Sequence, residues 1–576
     1  MLYSELALLY DELSATSKRL EKIKILAEFI KKLNGLEEFS YLFKGRIFPD
    51  YDSRETGVST QIIIKAITRA TGNETEKVIS LFKKNGDLGN VVLNMLDKSK
   101  QNSLFSKPLS VEYVFSSLRK LPEIVGDGAI DKKLAVISEM LINAKPIEAK
   151  YIVRTIIGDL RIGVADAVIL EAINYCFFSA DKNTLEVVQK SYDIITDFAE
   201  LIRLCKKGIN SLNHISLIPG RPINVMLPVK VLSIQEAFEV CGKPAAFEHK
   251  YDGFRTIISS DGHKIKIFTR RLEDVTHQFP DLVSFVDEGI NAKKFIIDGE
   301  AVGYDSKTSK YLPFESVSQR IKRKYGIDEI SKKMPVELNV FDVLYFDGKS
   351  TIDLPFLERR KILKNIVKEI PKKIRLSTQL ITSDENEAEK FYKDALKIGE
   401  EGVMIKNLES KYVSGRYVGT IAKLKPIVED LDVVIVGAEY GTGKRSGGLT
   451  SFIIAVKDGD NFLEIGKVSS GLKEKESEGT SYKEIDKLLQ PLIISENSDF
   501  VKVKPKIVVS ITYQNIQPSP SYSSGFALRF PRITHYRPER GINDIASLED
   551  IKKRSLQNVK KIRKKINLVN FLNFIL

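Results

Sequence analysis

Lys250-Tyr-Asp-Gly-Phe-Arg255 carries the sharpest chemical content in this chain, with Glu248 standing two residues ahead of it. A lysine amine attacks an electrophile only when neutral, and nearby cations or removal from water lower its pKa toward that state. Arg255 and a bound metal would supply the positive charge, while Gly253 would admit a close backbone approach. Taken alone, the same residues also describe a surface lysine beside a β-turn.

Residues suited to other chemistries are scattered. Cys176, Cys205 and Cys241 form no Cys-x-x-Cys pair, and His214, His249, His263, His277 and His535 are equally dispersed. That pattern argues against a thiolate or imidazole metal centre and suits a reducing cytosol. A hard cation held by carboxylate oxygens stays open. Gly441-Thr-Gly-Lys-Arg-Ser-Gly-Gly448 is glycine-rich and basic, yet it lacks the spacing of a phosphate-cradling P-loop.

Such groups need a scaffold. The chain has 576 residues, 43% hydrophobic and 29% charged, enough for about three or four domains. Up to Ser216 apolar residues recur at three- and four-residue steps, as in Leu20, Ile23, Leu26, Ile30 and Leu33, and again over 134–141 and 149–157. This predicts an all-α domain over 1–216. Past Ile218-Pro-Gly-Arg-Pro222 the texture changes. Segments 254–259 and 264–269 alternate around an Asp261-Gly262 turn, further strands are expected at 295–297, 337–346 and 402–406, and a helix around 359–367. The mixture predicts an α+β domain over 217–426. Short strands at 432–438, 452–456, 462–468 and 507–513 predict a C-terminal β-barrel over 427–576, with a basic, then apolar tail expected to dock as a helix.

No apolar run approaches the roughly 20 residues that span a bilayer. The N-terminus also lacks the basic lead of a secretory signal, so a cytoplasmic protein without a membrane partner is expected. The net charge of +13 favours a polyanion without choosing among DNA, RNA and acidic lipid.

Further segments join the lysine motif in order. They are Phe268-Thr-Arg-Arg-Leu-Glu-Asp-Val-Thr276, Asp298-Gly-Glu300, Asn339-Val-Phe-Asp-Val343, Glu401-Gly-Val-Met-Ile-Lys406, Lys423-Leu-Lys425, and Leu528-Arg-Phe-Pro-Arg532 with Arg537-Pro-Glu539. The ordered set resembles the motifs of the ATP-dependent DNA ligases, especially the archaeal and eukaryotic replicative type within the covalent nucleotidyltransferase superfamily. Singly, Phe341 reads as a core aromatic and Glu300 and Glu401 as salt-bridge partners. Their joint order carries the resemblance.

The resemblance implies three steps: Lys250 attacks the α-phosphorus of ATP and becomes adenylylated, AMP passes to the 5′-phosphate of a nick, and the 3′-OH displaces it. It also implies that Glu248 accepts from the adenine amino group, that Phe341 stacks on the ring, and that Arg255 and Glu300 lie near the ribose. Arg270 and Arg416 would meet phosphate. Lys423 and Lys425, two apart on a strand, would face the α-phosphate together. Glu401, with Glu300, would offer oxygen ligands to Mg2+. Two departures stand out. Arg537-Pro-Glu-Arg540 replaces the family's Arg-x-Asp-Lys, and arginine is no free substitute for lysine in orienting pyrophosphate. Ile421-Ala422 stand where the family often has a tryptophan.

The flanks extend the likeness. Gly126-Asp-Gly-Ala-Ile-Asp-Lys132, Glu148-Ala-Lys-Tyr-Ile-Val-Arg154 and Gly158-Asp-Leu-Arg-Ile-Gly163 resemble signatures of the family's helical DNA-binding domain, whose backbone N–H groups grip phosphates of nicked double-stranded DNA whatever the sequence. The C-terminal barrel resembles an OB-fold, with the 441–448 loop meeting DNA backbone. Gln101-Asn-Ser-Leu-Phe105 resembles the sliding-clamp peptide of archaeal ligases, with Leu104 and Phe105 as its apolar plug. The family further implies a monomer at the nucleoid, working in replication, recombination and repair. An RNA ligase or a capping guanylyltransferase would share the lysine motif but not the long helical N-terminus or Leu528-Arg-Phe-Pro-Arg532. An NAD-dependent ligase would carry a four-cysteine zinc site. A non-catalytic DNA-binding scaffold would have no need of Lys250, Glu300, Glu401 and Lys423 together.

Overall fold

The computed structural model describes residues 1–52, 54–98, 108–213, 215–321, 323, 325–416, 419–426, 430–441, 448–474, 479–497 and 500–555. The clamp-like peptide 101–105, most of the 441–448 loop and the tail beyond Ser555 lie outside them. Two compact units form, one from Met1–Thr75 with Val92–Lys425, the other from Glu76–Val91 with Pro426–Leu576.

The first unit begins helical. Helices Arg19–Lys31, Ala129–Asn143 and Pro146–Ile157 bury Ile23, Leu26, Ile30, Leu134, Ile137, Leu141, Ile152 and Val153, as the periodicity predicts. Leu20 departs from its expected core place: it is 73% exposed, because it sits in the first turn at the edge of the apolar stripe. Polar side chains start three other helices, Thr60–Thr71, Lys182–Ile195 and Phe198–Lys206. Ser59 accepts from Ile62 N, Asp181 from Thr184 N and Asp197 from Ala199 N, each taking up an N–H that the first turn leaves unpaired.

Thirteen strands follow among the described residues. They are β1 (Met226–Leu227), β2 (Val229–Val231), β3 (Ala245–His249), β4 (Phe254–Asp261), β5 (Ile265–Thr269), β6 (Lys294–Gly303), β7 (Val336–Phe346), β8 (Lys349–Ser350), β9 (Ile374–Leu376), β10 (Gln379–Thr382), β11 (Val403–Asn407), β12 (Gly415–Arg416) and β13 (Ile421–Leu424). One sheet has the order β10-β3-β11-β13-β2. The other runs β5-β4-β6-β7-β8 with β9 beside β7. The predicted hairpin is present. Asp261 accepts from the N–H groups of His263 and Lys264 at 2.8 Å each, and Gly262 takes φ +93°. β6 is longer than expected and carries Asp298-Gly-Glu300 within the strand. The expected helix appears as Phe356–Ile366.

Period-two alternation decides which residues each sheet turns away from its helices. Ala245, Phe247, Val403, Ile405, Ala422 and Leu424 pack with helix Ile234–Cys241 in one core. Ile258, Phe295, Ile297, Leu338 and Val340 pack with helix Pro280–Gly289 in the other. The intervening residues of β3, β11, β13, β4 and β6 are left for the opposite faces.

The second unit is strand-rich, with β14 (Leu431–Tyr440), β15 (Leu449–Asp458), β16 (Asn461–Val468), β17 (Ile493–Asn497), β18 (Phe500–Val503), β19 (Val508–Thr512), β20 (Ile516–Pro518), β21 (Phe526–Leu528) and β22 (Arg532–Tyr536). One sheet has the order β16-β15-β14-β18-β17, with β19 pairing both β14 and β22. Val433, Ile435, Phe452, Ile454, Val501 and Ile511 form its core. No helix among the described residues is long and apolar enough to cross a membrane.

Candidate active site

The faces turned away from the helices supply the chemistry. Register places Gln379, Glu248, Met404 and Lys423 in one row across β10, β3, β11 and β13. Arg255 on β4 pairs with Glu300 on β6. Just past β3, Lys250 N donates to Gly402 O at 3.0 Å and Glu401 N to Lys250 O at 2.9 Å, lacing the two chemical segments together. Glycine is required at both. A Cβ on Gly402, at φ +143°, would lie 2.1 Å from Leu424 O, and one on Gly253 would lie 2.4 Å from Ala301 O. The close approach expected at Gly253 is therefore real.

Lys250 Nζ and Lys425 Nζ each meet the same oxygen, Glu401 Oε2, at 2.7 Å. Burial pulls the Lys250 pKa down, but the carboxylates of Glu401 and Glu300 outweigh it and leave the pKa raised. Burial would raise Glu401, yet Lys250 and Lys425 hold it down to about 2. Glu300 is pushed up to about 7 by burial, in spite of Lys250 and Arg255. Lys425 is lowered, by burial first and then by Lys250, against the pull of Glu401. The sequence expectation that Arg255 would help neutralise Lys250 fails here. Arg255 donates from Nε to Asp298 Oδ1 at 2.9 Å and from Nη2 to Asp298 Oδ2 at 2.5 Å, and the groups closest to the amine are carboxylates. In this state Lys250 is an ammonium.

A second cluster surrounds Glu248, which is 2% exposed. Lys406 Nζ meets its Oε2 at 2.8 Å, Gln379 Nε2 donates to Oε1 at 2.9 Å, and Arg360 Nη1 stands 3.8 Å from Oε1. Phe341 is only half-buried, so it is not the core aromatic its strand alone suggests. Lys406 Nζ lies 4.5 Å and Arg255 Cζ 5.5 Å from its ring centroid. Phe341, Arg255, Asp298, Lys406 and Tyr412 line a concavity open to solvent.

The structure thus gathers Lys250, Glu300, Glu401 and Lys425 at one cluster, and Arg255 and Phe341 at the concavity beside Glu248. Lys423 lies in the Glu248 row. Arg270 is exposed in the turn after β5. Arg416 pairs through its backbone with Leu227, and its side chain is outside the described residues. In the second unit Arg537 Nε donates to Glu539 Oε1 at 2.6 Å and Arg540 Nε stands 3.6 Å from Asp432 Oδ2. The replaced pair therefore has partners within that unit.

Sequence reasoning passed over Asp298, Lys406, Tyr412, Gln379 and the buried Asp342–Arg359 pair, joined at 2.8 Å and 3.0 Å. Asp298, Asp342 and Lys406 lie inside motifs already singled out, and their charge among apolar strand residues was the available signal. Tyr412 and Gln379 offered none.

Over residues 225–425 the chain matches the family model described as ATP dependent DNA ligase domain. It also matches DNA ligase N terminus over 2–174 and ATP dependent DNA ligase C terminal region over 445–540. It is 45% identical over 558 residues to the DNA ligase of Nanoarchaeum equitans (strain Kin4-M), covering 96% of this chain and 98% of that one. To the DNA ligase of Thermococcus onnurineus (strain NA1) it is 41% identical over 556 residues, covering 96% and 97%. The solved structure called Pmar-Lig_PreS3 shares the fold at a TM-score of 0.57 and 18% identity, over 92% of this chain and 99% of that one.

Proposed function

The chain belongs to the ATP-dependent DNA ligases, and on that premise we propose that Lys250 is the residue that takes up AMP from ATP and passes it to the 5′-phosphate of a nick. One observation carries the assignment: two partly buried lysine side chains share a single oxygen of Glu401. When Lys250 gives up its proton and attacks the α-phosphorus, Glu401 keeps Lys425 as its partner, so no isolated buried charge is left behind. The electron pair of the amine forms the P–N bond, the bond from the α-phosphorus to the bridging oxygen breaks, and pyrophosphate leaves. In the later steps the 5′-phosphate displaces the lysine, and the 3′-OH displaces AMP.

The remaining groups bind and orient. Glu248, held by Lys406 and Gln379, is fixed in place to accept from an exocyclic amine, and a buried carboxylate left unpaired by the wrong base discriminates strongly. Phe341 offers a half-open ring to stack on, and Arg255 stands beside it for the ribose. Lys423, Lys425, Arg270 and Arg416 are assigned to phosphates. Glu300 and Glu401 suit Mg2+, which takes one or two carboxylates alongside phosphate oxygens and water rather than a full protein cage. Bound there, the ion would neutralise phosphate charge.

For the rest of the chain we infer an all-α DNA-binding domain over 1–216, an adenylation domain over 217–426 and an OB-fold over 427–576. The glycine-bounded segments support the first: Gly126, Gly128, Gly158 and Gly163 all adopt positive φ, and Gly128 stands at the N-terminus of helix Ala129–Asn143, the kind of helix end that suits a phosphate. A monomer inside the cell, with the 101–105 peptide offered to a sliding clamp, completes the proposal. The deciding experiment is sealing of a nicked duplex with ATP and Mg2+ by wild type and Lys250→Ala, with mass spectrometry of the ATP-treated protein. Adenylate on the Lys250 peptide and loss of sealing in the variant are expected. Equal sealing, or adenylate elsewhere, would overturn the assignment.

A further inference from the structure

Tyr412 lies in none of the motifs, yet its hydroxyl sits at the junction of three segments that build the concavity. It donates to Asp298 Oδ2 at 3.0 Å, accepts from Met226 N at 3.3 Å and stands 3.4 Å from Arg255 Nη2. Arg255 closes the ring, donating from Nη1 to Met226 O at 2.6 Å and gripping Asp298 through Nε and Nη2. A phenol has one donor and two acceptor sites, and all three are engaged. Asp298 is fully buried, and Met226 and Tyr412 are 5% and 6% exposed. Burial, followed by the charge of Asp298, raises the phenol's pKa well above its ordinary value, so it remains a donor at any working pH.

Met226 is itself held. β1 runs parallel to β12, Gly415 N donates to Val225 O at 3.0 Å, and Ser414 Oγ donates to Asn224 O at 2.6 Å. The ring therefore ties the guanidinium of Arg255 to two strands beyond its own. Among the described residues these contacts engage four of the five N–H groups of Arg255, and the fifth, on Nη1, is the one a ligand would meet. An arginine loses much rotamer freedom on binding unless its orientation is set beforehand.

We propose that Tyr412 is a positioning residue for nucleotide binding, acting through Asp298 and Met226 to hold Arg255 beside Phe341. The proposal rests on the assignment of Arg255 and Phe341 to the nucleotide. Tyr412→Phe keeps the ring in its packing among Ile257, Phe268 and Leu344 and removes only the hydroxyl. Met226 N then loses its acceptor and Asp298 one of its donors.

The test is single-turnover formation of lysyl-AMP by the full-length protein at graded ATP, which separates the KM for ATP from the limiting rate. Removing the hydroxyl breaks its bonds with Asp298, Met226 and Arg255; the share that reaches the nucleotide through Arg255, about that of one buried hydrogen bond, predicts a KM raised about five- to tenfold with the limiting rate within about twofold. In an Arg255→Lys background the same substitution should have little further effect, because the group it positions has gone. The amount of adenylate at saturating ATP counts folded molecules. An unchanged KM, an equal factor in both backgrounds, or collapsed stoichiometry would each overturn the proposal. If Arg255→Lys alone left KM unaltered, the assignment of Arg255 to the nucleotide would fall, and this proposal with it.

Discussion

Replacing Glu401 with glutamine should move the pH dependence of lysyl-AMP formation toward acid. Glu401 titrates at about 2 instead of 4.5, first against burial and then because Lys250 and Lys425 hold it ionised. A difference of that size is worth roughly 3 kcal/mol at 1.36 kcal/mol per pKa unit. Both lysines stand at 2.7 Å from the same oxygen and burial works against them, so at least about half of it, or about one pKa unit, belongs to Lys250. Without that carboxylate the amine keeps its burial and its repulsion from Lys425, both of which favour the neutral form, and retains Glu300 and Asp252 as stabilising neighbours. The midpoint of the rate–pH profile should therefore fall by about one unit. Labelled ATP at saturation, with covalent adenylate counted across the pH range, measures it. The height of the profile will also fall if Glu401 holds Mg2+, but height and midpoint are read independently. Lys425→Met should shift the midpoint the other way, since a like charge has been removed. A midpoint that stays put or rises in Glu401→Gln would refute the electrostatic account of this site.

Three more outcomes are expected. Phe341→Ala should raise the KM for ATP about tenfold while Phe341→Tyr stays near wild type, since an aromatic contact is worth about 0.5–1.5 kcal/mol beyond its buried area; equal KM values for all three proteins would remove the stacking role. Gly253→Ala must displace the Ala301 carbonyl that a Cβ would meet at 2.4 Å, and overpacking of this kind costs about 1–3 kcal/mol, to be read as a lowered urea midpoint. Glu300, raised to about 7 by burial, binds its proton more tightly folded than unfolded, so its contribution is present below pH 4.5 and lost as pH rises through 7. Glu300→Gln should flatten that decline in the urea midpoint between about pH 5 and pH 7.5; parallel slopes in the two proteins would contradict the raised carboxyl.

Much of this was legible in the linear chain because it depends on local rules. Alternation over 254–269 and an Asp-Gly pair dictate a hairpin, and three- and four-residue spacing dictates the helices around Ile23 and Ile137. The lysine motif and its ordered partners likewise needed only residue types and order, so the family and its chemistry could be read without coordinates. Leu20 shows where local reading stops: its spacing suits the apolar face, but it stands exposed at the edge of that face. Charge states lie wholly beyond sequence. Arg255 stands five residues from Lys250, yet its guanidinium goes to Asp298 across the sheet, whereas Glu401 and Lys425, remote in the chain, close on the amine. A pKa depends on burial and on charges within a few ångströms, and only tertiary packing decides both. For the same reason Tyr412 gave no signal: a tyrosine in the loop between β11 and β12 acquires a role only when folding sets Asp298 and Met226 within reach of its hydroxyl.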